Sequence, residues 1–71
     1  MRYMIVTEEG ETSFGAYVAD LPGCVAVGES KAEVRQLIQE AIEFHLEDLQ
    51  ESGAKIPKPL SKSEYVEVLA A

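Results

Sequence analysis

The side chains of this sequence that could do chemistry are few and lie far apart. Glu8, Asp20 and Glu29 could supply carboxylates to a hydrolytic site, which would need several acidic groups converging on paired metal ions. They lie at the end of a predicted strand, at a turn and at a predicted helix start, so whole strands separate them. Cys24 and His45 have no neighbouring group that would activate them or complete a ligand set. We therefore predict no catalytic site, no metal site and no bound cofactor.

The charge of the chain excludes one class of partner and favours another. Its 71 residues carry a net charge of −7, with only 6 scattered lysines and arginines. Nucleic-acid binding usually requires clustered basic residues, so direct binding to DNA or RNA is not expected. A basic protein is the partner that an acidic surface attracts. No signal peptide or long apolar run is present, so we expect a soluble, cytoplasmic protein.

Three short apolar runs predict the strands of a small antiparallel sheet. The run from Tyr3 to Thr7 is apolar on both alternating faces, which is typical of a central strand. Phe14 to Ala19 and Cys24 to Gly28 are the second and third strands, and Pro22-Gly23 between them predicts a tight turn.

One long helix is predicted from Lys31 to Glu51. Ser30 and Glu33 form a capping box at its start, and Gly53 is the expected residue just beyond its end. One stripe of the helix is largely apolar and should face the sheet; it consists of Val34, Leu37, Ile38, Ala41, Ile42, His45 and Leu49. Weak alternation from Ser63 to Leu69 predicts a final strand. The prediction is an α+β fold in the order β-β-β-α-β, with a three- to four-stranded antiparallel sheet and the helix on one face.

The opposite side of the helix is predicted to be acidic, with a stripe formed by Glu33, Glu40, Glu43, Glu47 and Glu51. Like charges four residues apart cost a helix about 0.2–0.5 kcal/mol per pair. The stripe is therefore either a docking surface for a basic partner or an ordinary solvated face. For the docking hypothesis the candidate contact residues are Glu40, Glu43 and Glu47, together with Asp20 and Glu29, which flank the Pro22-Gly23 turn.

The small size of the chain predicts self-association. A domain of this length has a marginal core, and a lone cysteine cannot form an internal disulfide. A homo-oligomer, either a dimer or a tetramer, is the remaining means of reinforcement. An apolar strand at a sheet edge invites pairing, so the candidate interface residues are Tyr65, Val66, Val68 and Leu69.

Four short blocks in a fixed order resemble the HicB-like antitoxin family. They are the D-L-P-G-C turn at 20–24, the G-E-S-x-x-E helix start at 28–33, Glu40-Ala41-Ile42, and Gly53 with Ile56-Pro57-x-Pro59. One departure is Val34, where the family usually has alanine.

The resemblance implies a partial ribonuclease-H-like fold. It also implies that the chain neutralises a small basic HicA-type toxin, an mRNA-cleaving ribonuclease, by covering it. Residues 1–71 are expected to form a single domain without the C-terminal DNA-binding domain of longer members. The alternative is an orphan structural or interaction oligomer of the same fold that has no toxin partner.

Overall fold

The computed structural model describes residues 1–70 and contains three strands followed by one helix. The elements are β1 (Ile5–Glu9), β2 (Phe14–Val18), β3 (Val25–Gly28) and α1 (Lys31–Glu51). The strands form an antiparallel meander in the order β1-β2-β3, and α1 packs mainly against β2 and β3. The predicted α+β class, the three strands and the helix bounds are confirmed.

The turn between β2 and β3 has the geometry that its proline and glycine predict. The Cys24 amide donates to the Leu21 carbonyl at 3.1 Å, and Gly23 has a φ of +83°. A type II turn needs positive φ at its third position, which glycine adopts without strain. The turn directs Leu21 into the protein, where its side chain is completely buried.

Both ends of α1 are capped by the residues that the sequence indicates. The Ser30 hydroxyl accepts from the Glu33 amide at 3.1 Å, and the Glu33 carboxylate accepts from the Glu29 amide at 2.9 Å. At the other end, Gly53 has a φ of +76° and its amide donates to the Gln50 carbonyl. The reciprocal bonds of the capping box and the left-handed glycine satisfy backbone groups that the helix leaves free.

The core lies between the sheet and α1. Ala16 and Val18 of β2, Leu21, Cys24, and Val34 and Ile38 of α1 are its buried members. Ala41, Ile42 and Leu46 pack against them from the next turns of the helix. Leu37, predicted for the buried stripe, is 37% exposed, because the sheet lies under the side of the helix that carries Val34 and Ile38.

Two predictions about strands are wrong for the single chain. The sequence predicts Tyr3 to Thr7 as a central strand, but β1 is at the edge of the sheet because no fourth strand lies beside it among residues 1–70. Ser63 to Leu69 forms no strand: residues 54–70 contain no helix or strand, and positions 61–70 are all exposed. A strand requires a neighbour for its backbone hydrogen bonds, and residues 63–69 have none within the described chain. The ribonuclease-H-like arrangement implied by the resemblance stays a prediction.

Candidate functional site

The acidic side of α1 is formed by three exposed carboxylates, which we call the acidic face: Glu40, Glu43 and Glu47. Gln36 donates to the Glu40 carboxylate and Gln39 to that of Glu43, both at 3.3 Å. These contacts link positions four apart on the helix and do not neutralise the charge. Arg35 lies beside Glu40 and Glu43, but with three carboxylates the acidic face keeps a net negative charge toward solvent.

The other predicted acidic positions have separate environments. Glu33, expected in the same stripe, is used by the capping box, and Glu51 is the last residue of α1. Asp20 follows β2 and accepts two hydrogen bonds from Ser61, one from its amide at 3.0 Å and one from its hydroxyl at 2.7 Å. Asp20 lies near the start of β3, whereas Glu29 follows the end of β3. The structure therefore does not bring Asp20 and Glu29 together.

The residues that could have formed a catalytic or metal site do not converge. Cys24 is buried, and burial raises the pKa of its thiol, which disfavours the reactive thiolate. His45 is half-buried on α1. Within residues 1–70, no group of three or more histidine, cysteine or acidic side chains is arranged to hold a metal ion.

Sequence reasoning missed a groove between β1 and the start of α1. It has a volume of about 420 Å³ and an apolar floor that includes Tyr3, Ile5, Ile38 and Ile42. Lys31 and Arg35 line the same groove, so two of the few basic residues of this acidic chain lie together. Their spacing of four residues was the available signal, because it places them on one side of a helix.

Residues 61–70, which we call the extended segment, carry a run of exposed apolar side chains. Its exposed large side chains are Tyr65, Val66, Val68 and Leu69, the residues of the predicted oligomer interface. A second patch lies on the face of the sheet away from α1, where Tyr17, Val25 and Val27 are exposed. Clustered exposed apolar residues mark protein interaction sites more often than isolated ones do.

No helix of the described residues combines the length and the apolar character that crossing a membrane requires. Four exposed surfaces have been described: the acidic face, the groove, the extended segment and the apolar patch of Tyr17, Val25 and Val27.

Comparison with known proteins gives one family and several relatives. Residues 3–69 match the family described as HicB-like antitoxin of bacterial toxin-antitoxin systems. An uncharacterized 14.9 kDa protein from the rep-hol intergenic region of Haemophilus phage HP1 is 32% identical over 66 residues. That alignment covers 93% of this chain and 50% of the phage protein, so the chain spans about half the length of this relative.

Two further relatives are described as UPF0150 proteins. The one from Thermoplasma acidophilum is 36% identical over 59 residues, covering 82% of this chain and 86% of the relative. The one from Helicobacter pylori is 44% identical over 45 residues, covering 63% of this chain and 62% of the relative. No solved structure matches the chain. Since the family match extends over nearly the whole sequence, this chain belongs to the HicB-like antitoxin family of bacterial toxin-antitoxin systems.

Proposed function

We propose that this chain is an antitoxin that neutralises a small basic HicA-type toxin, an mRNA-cleaving ribonuclease, by protein–protein association. The single observation that supports this most, beside the family, is the acidic face. It displays Glu40, Glu43 and Glu47 to solvent on a chain whose net charge is −7. The role is binding in the cytoplasm rather than catalysis.

The electrostatic argument follows from what such a toxin must do. A protein that grips RNA needs lysine and arginine side chains to neutralise phosphates. An acidic helix competes for the same basic surface, so the antitoxin would block RNA access where it docks. Complementary charge also accelerates encounter, which suits a protein that must intercept its target.

Asp20 and Glu29 belong to this proposal as outer charges of the contact. Asp20 accepts two hydrogen bonds from Ser61 and so holds the extended segment. Its negative charge would attract the toxin without a direct contact. Glu29 lies between β3 and the N-cap of α1, at the end of the helix away from Glu47.

Self-association is a second part of the proposal, and it does not depend on a toxin. Tyr65, Val66, Val68 and Leu69 are exposed apolar side chains on a small domain. Burying them between copies would remove apolar surface from water. The same observation favours the alternative function, an orphan interaction oligomer of this fold with no toxin partner.

The test of toxin binding reverses two charges on the acidic face. Glu43→Lys with Glu47→Lys should slow association with the HicA-type toxin of the same host and weaken the complex. Binding is measured by calorimetry at two ionic strengths, and neutralisation by growth rescue on co-expression. Wild-type affinity should fall with added salt, because the contact is electrostatic.

The matched control carries the same change of net charge elsewhere. Glu8→Lys with Glu11→Lys places two lysines at the β1–β2 hairpin, away from α1. This control should retain most of the wild-type affinity. Equal affinities for wild type and the helix double variant would remove the acidic face from the interface, and no binding by wild type would support the orphan oligomer.

A further inference from the structure

The free edge of β1 has the properties of a strand that is paired on both sides. Its residues are apolar on both faces over Tyr3 to Val6, which is the pattern of a central strand, yet β1 is at the edge of the sheet. Exposed sheet edges pair readily with other strands unless charges, prolines or bulges protect them. β1 contains no proline, and its only charges, Glu8 and Glu9, lie at the hairpin end.

The backbone groups that this edge offers can be identified from the register. The Ala19 amide donates to the Met4 carbonyl, so Met4 and its alternate neighbours Val6 and Glu8 direct their backbone groups toward β2. In an antiparallel pair this orientation alternates along the strand. Ile5 and Thr7 therefore direct their amides and carbonyls outward, away from β2.

The groove beside this edge is both apolar and basic. Its floor is apolar, and Lys31 and Arg35 line it. Arg35 also lines a separate depression with Glu40 and Glu43, whereas no carboxylate lines the groove itself. An occupant with apolar side chains and an acidic group would satisfy both features.

The extended segment is such an occupant. Tyr65, Glu67 and Leu69 alternate with Val66 and Val68, so one face of it carries two large apolar groups with a carboxylate between them. Its five residues from Tyr65 to Leu69 equal the length of β1. Because Glu67 is at the centre, it can meet the basic side of the groove whichever way the strand runs.

We propose that the extended segment of a second copy adds to the free edge of β1 as a fourth strand. Tyr65 and Leu69 then cover the apolar floor of the groove, and Glu67 pairs with Arg35 and Lys31. Val66 and Val68 lie on the other face of the sheet beside Val6. The proposal rests on the self-association proposed above and assigns the surface that carries it.

A second copy fits better than the segment's own chain. Asp20 holds Ser61, and Ser61 to Ser63 lie beside Arg2 to Met4, just ahead of β1. Beyond that point Tyr65 and Leu69 are fully exposed, so the segment does not cover the groove of its own chain. In a two-fold dimer the segment of each copy would pair with β1 of the other copy, so the same contact would form twice.

The test blocks each sheet edge with proline and measures mass by sedimentation velocity at micromolar concentration. Thr7→Pro removes an outward amide of β1, which an edge strand tolerates, and should convert the dimer to monomer. Val27→Pro is the matched control: its amide points out of the opposite edge of the sheet, and the dimer should persist. Circular dichroism checks that both variants keep the fold.

A mixing experiment separates exchange between copies from closure within one chain. Thr7→Pro keeps an intact segment, whereas Tyr65→Asp with Leu69→Asp keeps an intact edge. Each variant alone should be monomeric, and the mixture should form a heterodimer held by one exchanged segment. A mixture that stays monomeric up to millimolar concentration would mean that the segment closes on its own chain, and the proposal would be wrong.

The charge contact gives an independent readout. Glu67→Lys should raise the dissociation constant of the dimer roughly tenfold, because the charge contact is lost at both symmetric sites. Adding Arg35→Glu to the same chain should restore the affinity. Glu51→Lys is the control, because it changes the net charge equally at the far end of α1. A dimer that survives Thr7→Pro overturns this surface alone, whereas a monomeric wild type overturns self-association as well; neither result bears on toxin binding.

Discussion

Gly28 packs closely against the first turn of α1, and a single methyl group there should destabilise the fold. A Cβ at this position would lie 2.5 Å from Oε1 of Glu33 and 3.0 Å from Cγ2 of Val34. The Glu33 carboxylate could move, but it would then lose its hydrogen bond from the Glu29 amide. Val34 is completely buried, so it has little room to yield.

The magnitude of Gly28→Ala follows from three contributions. Loss of the Glu29–Glu33 hydrogen bond costs about 0.5–1.5 kcal/mol, and forcing a methyl against a packed side chain costs about 1–3 kcal/mol. Reduced backbone freedom in the unfolded chain offsets about 0.4–1 kcal/mol of this. We expect a net loss of about 1–3 kcal/mol, a large fraction of the roughly 4–10 kcal/mol that a domain of this size has.

The assay is a double-mutant cycle measured by urea denaturation. In a Glu33→Ala background the carboxylate is already gone, so the methyl of Gly28→Ala meets only Val34. The double variant should be less destabilised than the sum of the two singles by about 0.5–1.5 kcal/mol. Gly15→Ala is the control, since its Cβ would meet only the Ala26 carbonyl oxygen, at 3.8 Å. Strict additivity of Gly28→Ala and Glu33→Ala would refute the close-contact argument.

Three other outcomes follow from burial and from the bonds of Asp20. Ile38→Ala should cost about 2–5 kcal/mol of unfolding free energy, whereas Leu37→Ala, at a position 37% exposed, should cost clearly less; equal midpoints in urea would contradict the assigned helix face. Cys24 should react slowly with thiol reagents until the protein unfolds. Because burial raises its thiol pKa above the unfolded value, its contribution to stability is complete below the unfolded pKa and is lost as pH rises through the folded pKa. Asp20→Ala should release the extended segment, which limited proteolysis near Ser61 would detect as faster cleavage; unchanged cleavage would mean that the two hydrogen bonds do not hold it.

Local signals predicted the parts of the fold that local chemistry determines. The capping box of Ser30 and Glu33, the turn at Pro22-Gly23 and the helix end at Gly53 all depend on a few adjacent residues. Each is present in the structure, and together they set the bounds of three of the four elements.

What the sequence could not predict depends on where elements lie relative to one another. Periodicity placed Leu37 in the buried stripe, but only the lateral position of the sheet decides that Leu46 packs against the core instead. The alternation of Ser63 to Leu69 describes a segment able to pair, not the neighbour with which it pairs. The acidic face was found from spacing alone, whereas the groove needs β1 and α1 side by side.

The length of α1 has a consequence for motion. Its 21 residues extend roughly 31 Å, whereas a five-residue strand extends roughly 17 Å. The final turns therefore project past the sheet, and the bond from the Tyr3 hydroxyl to the Pro57 carbonyl secures the chain that returns beneath them. Amide exchange should be slowest around Val34 and Ile38 and faster toward Glu47. The end of the helix that carries part of the acidic face would then open more often than its start, and a partner that binds there would slow its exchange.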